Sequence, residues 1–297
     1  MAVNENPDFE GRLAAVEAWT STQKKVMTIG DLGWDAVESD IRSLAVNYIL
    51  RRQLEALDAT VLLAKGGLGH LSVGFVRPAL DELLWMLWVK DLSQQDAQDL
   101  LNTMGIWDGI RSLLAQRAYV GDAVMQELWY PVALLDAQDQ HKAAVRDKLK
   151  TLGQQYHWAG GVLPSASWVA EQSGHEALYE YLHAASSRAL HFSVGEITRH
   201  SWGEPGGAVT TLNPNFREYR TTFALFQLPL LFAETFTACV DLLDAAGIVY
   251  SADEVLEERI LAEAKSLGRF GQVPLVHAHE WNLRPPAKPT EGSGRAG

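Results

Sequence analysis

Residues 175–200 read HEALYEYLHAASSRALHFSVGEITRH. Leu178, Leu182, Ala185, Ala189 and Phe192 recur at steps of three and four, the period of a helix with one face on a core. A quarter-turn away, Ala184, Ser187, Arg188, His191 and Gly195 form a second stripe, small and polar where Leu or Phe is usual. The spacing predicts one long helix over 175–200. Such a helix either packs closely on another polar helix or lines a site.

The same period runs outward in both directions. Residues 8–26 form an amphipathic stretch, broken by Gly30, Asp31 and Gly33. From 34 to 65, Ile41, Leu44, Ala45, Tyr48, Ile49 and Leu54 hold helical spacing. Within it, residues 49–56 (ILRRQLEA) read as a solvated stretch, with Arg51 spaced i,i+4 from Glu55. The GGLGH run at 66–70 has no strand before it and no Lys-Ser/Thr after it, so it reads as a turn and not a phosphate loop. Residues 71–91 contain SVGFVRPALDELLWMLWVK, apolar around nearly its whole circumference from Leu83 onward, which implies burial on all sides. Pro78 sits in its first turn or kinks it.

Ser93 caps the next helix, with Asp96 near its positive end. Gly121, Pro131 and residues 134–140 divide shorter helices, and 137–156 reads as an exposed one. Residues 157–174 are a loop with one turn of helix, and 203–215 is the clearest long loop. Val209 to Leu212 has strand character but no evident partner. A long buried helix spans 216–246 through Pro229. Ser251 with Glu254 forms a capping box opening a helix to about Leu267. The expected fold is all-α: a single helical bundle-like domain with long buried helices. It divides into an N-terminal helical arm (1–32), a core (33–268) and an extended or disordered C-terminal tail (269–297) ending PPAKPTEGSGRAG.

Composition narrows the function classes. The 297 residues are 47% hydrophobic and 21% charged, ordinary for a folded domain with a substantial core. A net charge of −12 disfavours broad nucleic-acid binding, which needs clustered Lys and Arg, but leaves room for a local basic pocket. The single cysteine, Cys239, excludes an internal disulfide and reads as a small buried side chain. Residues 1–12 carry no basic region followed by an apolar run. Residues 223–243 are long enough to span a membrane but include Gln227, Pro229, Glu234 and Asp241. The expected location is therefore the cytoplasm, with no membrane partner.

Four constellations carry chemistry. Ser187 and His191, one turn apart, would aim a hydroxyl and an imidazole into a shared pocket with Arg188 and Tyr181 nearby; the plain alternative is helix packing. Arg77 and Asp81 are an i,i+4 pair at the start of the most apolar helix. They read either as an intrahelical ion pair or as an Arg held by Asp81 and offered to an anion. Glu82 is offset and expected to face elsewhere. Glu234 lies in an apolar run (FAETFTACV), where burial would raise its pKa. His277 and His279 have H-x-H spacing, but no further ligand lies near, so no metal and no cofactor is expected. The Arg-to-His spacing of helical metal-independent ribonucleases, four to six intervening residues, fits none of the nine histidines.

An Arg opening an acidic-apolar helix (RPALDELLWMLW), a Trp-Gly loop (YHWAGG) and a Tyr-rich helix with Ser-x-x-x-His (YEYLHAASSRALHFS) resemble the bacterial domain-of-unknown-function family 5677 over about residues 40–245. The resemblance implies a helical fold in which Arg77 meets Ser187 and His191 across the bundle. Asp81 stands where the family has Glu. The expectation is a cytoplasmic helical protein with a polar intrabundle pocket that binds or senses a small anionic ligand. Arg77, Asp81, Ser187 and Tyr181 would make the contacts, and the resemblance suggests a bacterial stress or phage-defence module. One alternative is a HEPN-like metal-independent ribonuclease or toxin, with His191 as base and Arg77 or Arg188 stabilising charge. Another is a structural module that binds a protein partner and no ligand. A homo-oligomer is compatible with each.

Overall fold

The computed structural model describes residues 8–158, 160–191, 193–203, 208–211, 214–250 and 256–270. The fold is all-α. Eleven α-helices lie among the described residues: α1 (Phe9–Val26), α2 (Trp34–Ser39), α3 (Ile41–Lys65), α4 (Val73–Val89), α5 (Gln94–Glu127), α6 (Val132–Tyr156), α7 (Ala166–Gln172), α8 (Glu176–Leu190), α9 (Val194–His200), α10 (Pro214–Ala238) and α11 (Leu256–Ser266). Four short strands make two antiparallel ribbons. β1 (Met27–Ile29) pairs with β4 (Ile248–Tyr250), and β2 (Trp202–Gly203) pairs with β3 (Val209–Thr210). Val209 therefore does find a strand partner, Gly203, three residues past the 175–200 stretch.

The core is centred on α4 and α10. Leu80, Leu83 and Leu84 of α4 and Phe232 and Phe236 of α10 are fully buried, and α4 also packs on α3, α7 and α8. Truncating one such side chain to Ala costs about 2–5 kcal/mol. Trp19 of α1 and Met27 of β1 belong to this core, while Val16 packs in a second, smaller cluster with Val61 and Leu225. Val16 and Trp19 of α1 are buried, and Trp19 meets Phe232 edge-on at 5.8 Å between ring centroids. Asn47 closes the β1–β4 corner by donating to Gly30 O and Ala246 O, both at 2.9 Å.

The GGLGH run is a turn, as its flanks imply. Gly67 takes a left-handed φ of 71°, and Leu68 N–H donates back to Leu63 O at 2.8 Å, closing α3. Gly69 sits so close to α10 that a Cβ there would lie 2.3 Å from Thr221 Cγ2. Pro78 lies inside α4, one turn past its start. Beyond α4, α5 and α6 pair as a long hairpin, with α5 kinked at Gly121 (φ 82°, ψ 163°). Residues 134–140 belong to the single helix α6. Tyr119 and Trp129, at the far end of the hairpin, are over nine-tenths exposed.

The stretch at 175–200 is two helices, not one. α8 ends at Leu190, and His191 is extended (φ −117°, ψ 156°). Ser193 then caps α9, its hydroxyl accepting from Glu196 N–H at 3.3 Å. The break has a sequence cause: Ser193-Val-Gly-Glu196 is a capping box, and a Ser at that position starts a helix in preference to continuing one. The proposed capping box at Ser251 and Glu254, the pair His277 and His279, and the C-terminal tail beyond Phe270 lie outside the described residues.

Candidate functional site

Helix α4 carries the site because it meets three helices along its polar-edged side. Arg77 Nε donates to Asp81 Oδ2 at 2.8 Å, the i,i+4 geometry that one helix turn imposes. Arg77 Nη1 donates to Ser187 Oγ on α8 at 3.2 Å. Its guanidinium also lies 5.5 Å from the centroid of the Tyr179 ring. Arg77 is thus held on three sides, with its side chain only 16% exposed. The two segments paired by sequence reasoning do meet in space.

A second ion pair lies beside the first. Arg52 of α3 pairs with Glu82 Oε1, and Gln53 Nε2 donates to Glu82 Oε2 at 3.0 Å and to Thr235 Oγ1 at 3.3 Å. The guanidinium of Arg52 sits 5.7 Å from the Tyr48 ring centroid. Glu82 does not face elsewhere. Its side chain is 10% exposed, and burial pushes its pKa above the ordinary range despite Gln53 and Arg52. The solvated reading of 49–56 fails at Arg52 and Gln53. Arg51 donates to the carbonyls of Ile29 and Gly30 at 3.2 and 3.3 Å, not to Glu55. The overlooked signal was Gln53 itself, which falls in the buried stripe Val46, Leu50, Gln53, Leu57.

Both ion pairs open onto one cavity of about 530 Å³, within the roughly 300–1,000 Å³ range of small-molecule sites. α3 contributes Ala45, Tyr48, Ile49 and Arg52; α4 contributes Arg77, Pro78, Asp81, Glu82, Trp85, Met86 and Val89. Leu101 and Met104 come from α5 and Leu190 from α8. The walls are apolar and the charge is confined to the two Arg–carboxylate pairs, whose formal charges cancel. Asp81 Oδ1 is shut off from solvent and has no hydrogen-bond partner among the described residues. Burial raises the Asp81 pKa, against the opposing pull of the Arg77 hydrogen bond and of the Arg77 and Arg52 charges.

The other candidate residues sit apart. His191 is exposed at the end of α8, and its backbone N–H donates to Ser187 O at 3.1 Å. Tyr181 packs against Phe223, ring centroids 6.4 Å apart, and does not line the cavity; burial raises its pKa. Tyr179, two residues earlier, lies against the Arg77 guanidinium, a contact the sequence reading did not assign. Arg188 Nη1 is buried with no hydrogen-bond partner among the described residues, and Arg188 is not part of the cavity lining. Glu234 is not sequestered: its side chain is 44% exposed and lies 3.9 Å from Lys265 Nζ, because it points off the outer side of α10. Cys239 is buried, its thiol pushed up to about 12 by desolvation, far from the range of a nucleophile. Among the described residues no group of His, Cys, Asp and Glu could hold a metal, and no helix is long and apolar enough to cross a membrane.

The family of unknown function DUF5677 matches residues 44–208, more than half of the chain, and the chain belongs to it. The matched segment contains Arg52, Arg77, Asp81, Glu82 and Ser187. No curated protein and no solved structure matches the chain.

Proposed function

We propose that this protein binds a small molecule in the α3–α4–α5–α8 cavity and that its role is recognition or sensing. The observation that carries this reading is Arg77. A guanidinium fixed by Asp81, Ser187 and Tyr179 borders an apolar cavity large enough for a ligand. Immobilising an arginine in advance removes part of the entropy cost of binding. Apolar walls with a few polar groups at one end are the usual build of a ligand site. The polar end would orient the ligand and the Trp85, Met86 and Met104 side would hold its body. The sequence-level expectation of an anionic ligand enters here as one form of that polar end. A setting in the cytoplasm, within a bacterial stress or phage-defence module, is part of the proposal on the strength of the family resemblance.

The geometry favours this reading over a metal-independent ribonuclease, because His191, the base such an enzyme would use, sits exposed beyond the end of α8 and does not line the cavity. A second reading, a module that docks a protein partner or another copy of itself, draws on the α5–α6 hairpin end, where Tyr119 and Trp129 stand almost fully exposed. The test is a fragment screen by ligand-observed NMR on the natural chain and on Ala45→Phe, which fills the cavity. The proposal expects binders that the filled variant loses while its melting temperature holds. Binders retained in Ala45→Phe, or none at all, would contradict it.

A further inference from the structure

The α5–α6 hairpin carries a charge pattern that neither its own folding nor the cavity uses. On α6, Asp136, Asp139, Ala143, Arg146 and Lys150 follow one another at steps of three and four, so they share one face, and all five are exposed. The acidic members come first and the basic ones last. Within one helix these opposite charges do not meet: Asp139 and Arg146 stand about 10 Å apart along the axis. Among the described residues, Asp136 shares Arg117 with Asp122, Arg146 and Lys150 each lie 3.6 Å from Asp147, and Asp139 has no ion pair. The helix dipole does not account for the order, because its pull fades within the first and last turns and Asp139 and Arg146 lie inside them. A repeat of 3.5 residues on an exposed helix face is the form in which a second helix is received.

We propose that this face receives a second copy of the chain, the two α6 helices lying antiparallel about a two-fold axis at Ala143. The register follows from the charges. An antiparallel pair centred on Ala143 sets Asp139 against the partner's Arg146 and Asp136 against the partner's Lys150, and symmetry makes each contact twice. A parallel pair would set Asp139 on Asp139 and Arg146 on Arg146, which like-charge repulsion opposes. The small side chain of Ala143 lets the helices approach at the axis. The same axis accounts for the aromatic tip. Trp129 and His157 stand fourteen residues to either side of Ala143, so Trp129 of each copy comes level with the C-terminal end of the other's α6. Trp129 and Tyr119, over nine-tenths exposed in the single chain, then supply apolar area at both ends of the contact. This gives the docking reading of the hairpin its occupant. It is independent of ligand binding, because neither α6 nor the tip lines the cavity.

Sedimentation velocity over a concentration series tests the proposal on the natural chain, which should associate to a dimer. Arg146→Asp should weaken that dimer about tenfold or more, because two pairs of carboxylates then face each other. Adding Asp139→Arg to Arg146→Asp exchanges the charges and should restore the dimer, a rescue that a general effect on folding would not give. Cross-linking checks the register. Cys239 is buried, so a thiol introduced by Ala143→Cys is the accessible one. Its two copies meet at the axis and should form a disulfide-linked dimer on mild oxidation. With Ala133→Cys the two thiols lie about 30 Å apart and should not link. A monomer at every concentration, a dimer indifferent to Arg146→Asp, a charge exchange that fails to rescue, or a link as strong with Ala133→Cys as with Ala143→Cys each overturns the proposal. Fragment binding in the cavity should be the same in all these variants, so failure of the dimer leaves the ligand-binding reading standing.

Discussion

Two Arg–carboxylate pairs flank α4, and they differ in what they leave open. In Arg52–Glu82 the carboxylate is the buried member, 10% exposed against 42% for the arginine, and Gln53 satisfies its second oxygen. In Arg77–Asp81 the arginine is the buried member, 16% against 33%, and the carboxylate keeps an oxygen with no partner. The first pair is closed and ties α3 to α4 and, through Gln53, to Thr235 of α10. The second stays on α4, reaches Ser187 of α8 and borders the cavity. Charge alone does not separate the two pairs; burial and the state of their hydrogen bonds do.

The largest consequence is a reversal of the obvious ranking. Arg52 is the more exposed arginine, yet Arg52→Met strands the more buried carboxylate, and it should cost about 2–4 kcal/mol. Arg77→Met leaves Asp81 with better access to water and should cost about 1–2 kcal/mol while removing ligand binding. Chemical denaturation of both variants checks this. A larger loss for Arg77→Met would erase the distinction between the pairs.

The pH dependence of stability sharpens the same contrast. Burial raises the folded-state pKa of Glu82, and that of Asp81 in the same direction, so the native state holds these protons more tightly than the unfolded chain does. Their contribution to stability is therefore greatest at low pH and is lost as pH rises from about 4.3, the ordinary Glu value, through the raised folded value. Glu82→Gln should flatten the stability profile across that window, measured by denaturation at stepped pH. An unchanged slope would mean that the buried carboxylate is not what titrates.

Ser187→Ala removes the 3.2 Å bond from Arg77 and should cost about 0.5–1.5 kcal/mol, with a modest loss of ligand affinity as the guanidinium loosens. The smallest effect belongs to His191. His191→Ala should change stability by no more than about 0.5 kcal/mol and leave binding untouched, since the side chain is exposed beyond the end of α8. A large effect there would bring the polar stripe at 184–195 back as a site in its own right.

The two pairs also mark how far the sequence can be read. Arg77–Asp81 is legible because both partners lie on one helix, where spacing alone dictates contact. Its meeting with Ser187 is a long-range fact that periodicity cannot supply, and the family resemblance was what pointed to it. Arg52–Glu82 joins two helices and was hidden twice, once by the charged look of ILRRQLEA and once by the assumption that neighbours on a helix face different ways. At the wide cavity wall, Asp81 and Glu82 both find room. The all-α class follows from helical periods in nearly every stretch, while β1 and β4 are three residues each, too short for a period of two to show. His191 left its helix for a local reason, the capping box at Ser193, which a long apolar period overrode in the reading but not in the chain.

The most direct measurement of the central claim uses the methionines. Met86 and Met104 line the cavity, while Met27 in β1 and Met125 in the α5–α6 hairpin are buried elsewhere. With 13C-methyl methionine labelling, titration of a fragment from the cavity screen should shift the Met86 and Met104 resonances and leave Met27 and Met125 in place. Shifts confined to Met27 or Met125, or a bound fragment that moves neither Met86 nor Met104, would contradict the account.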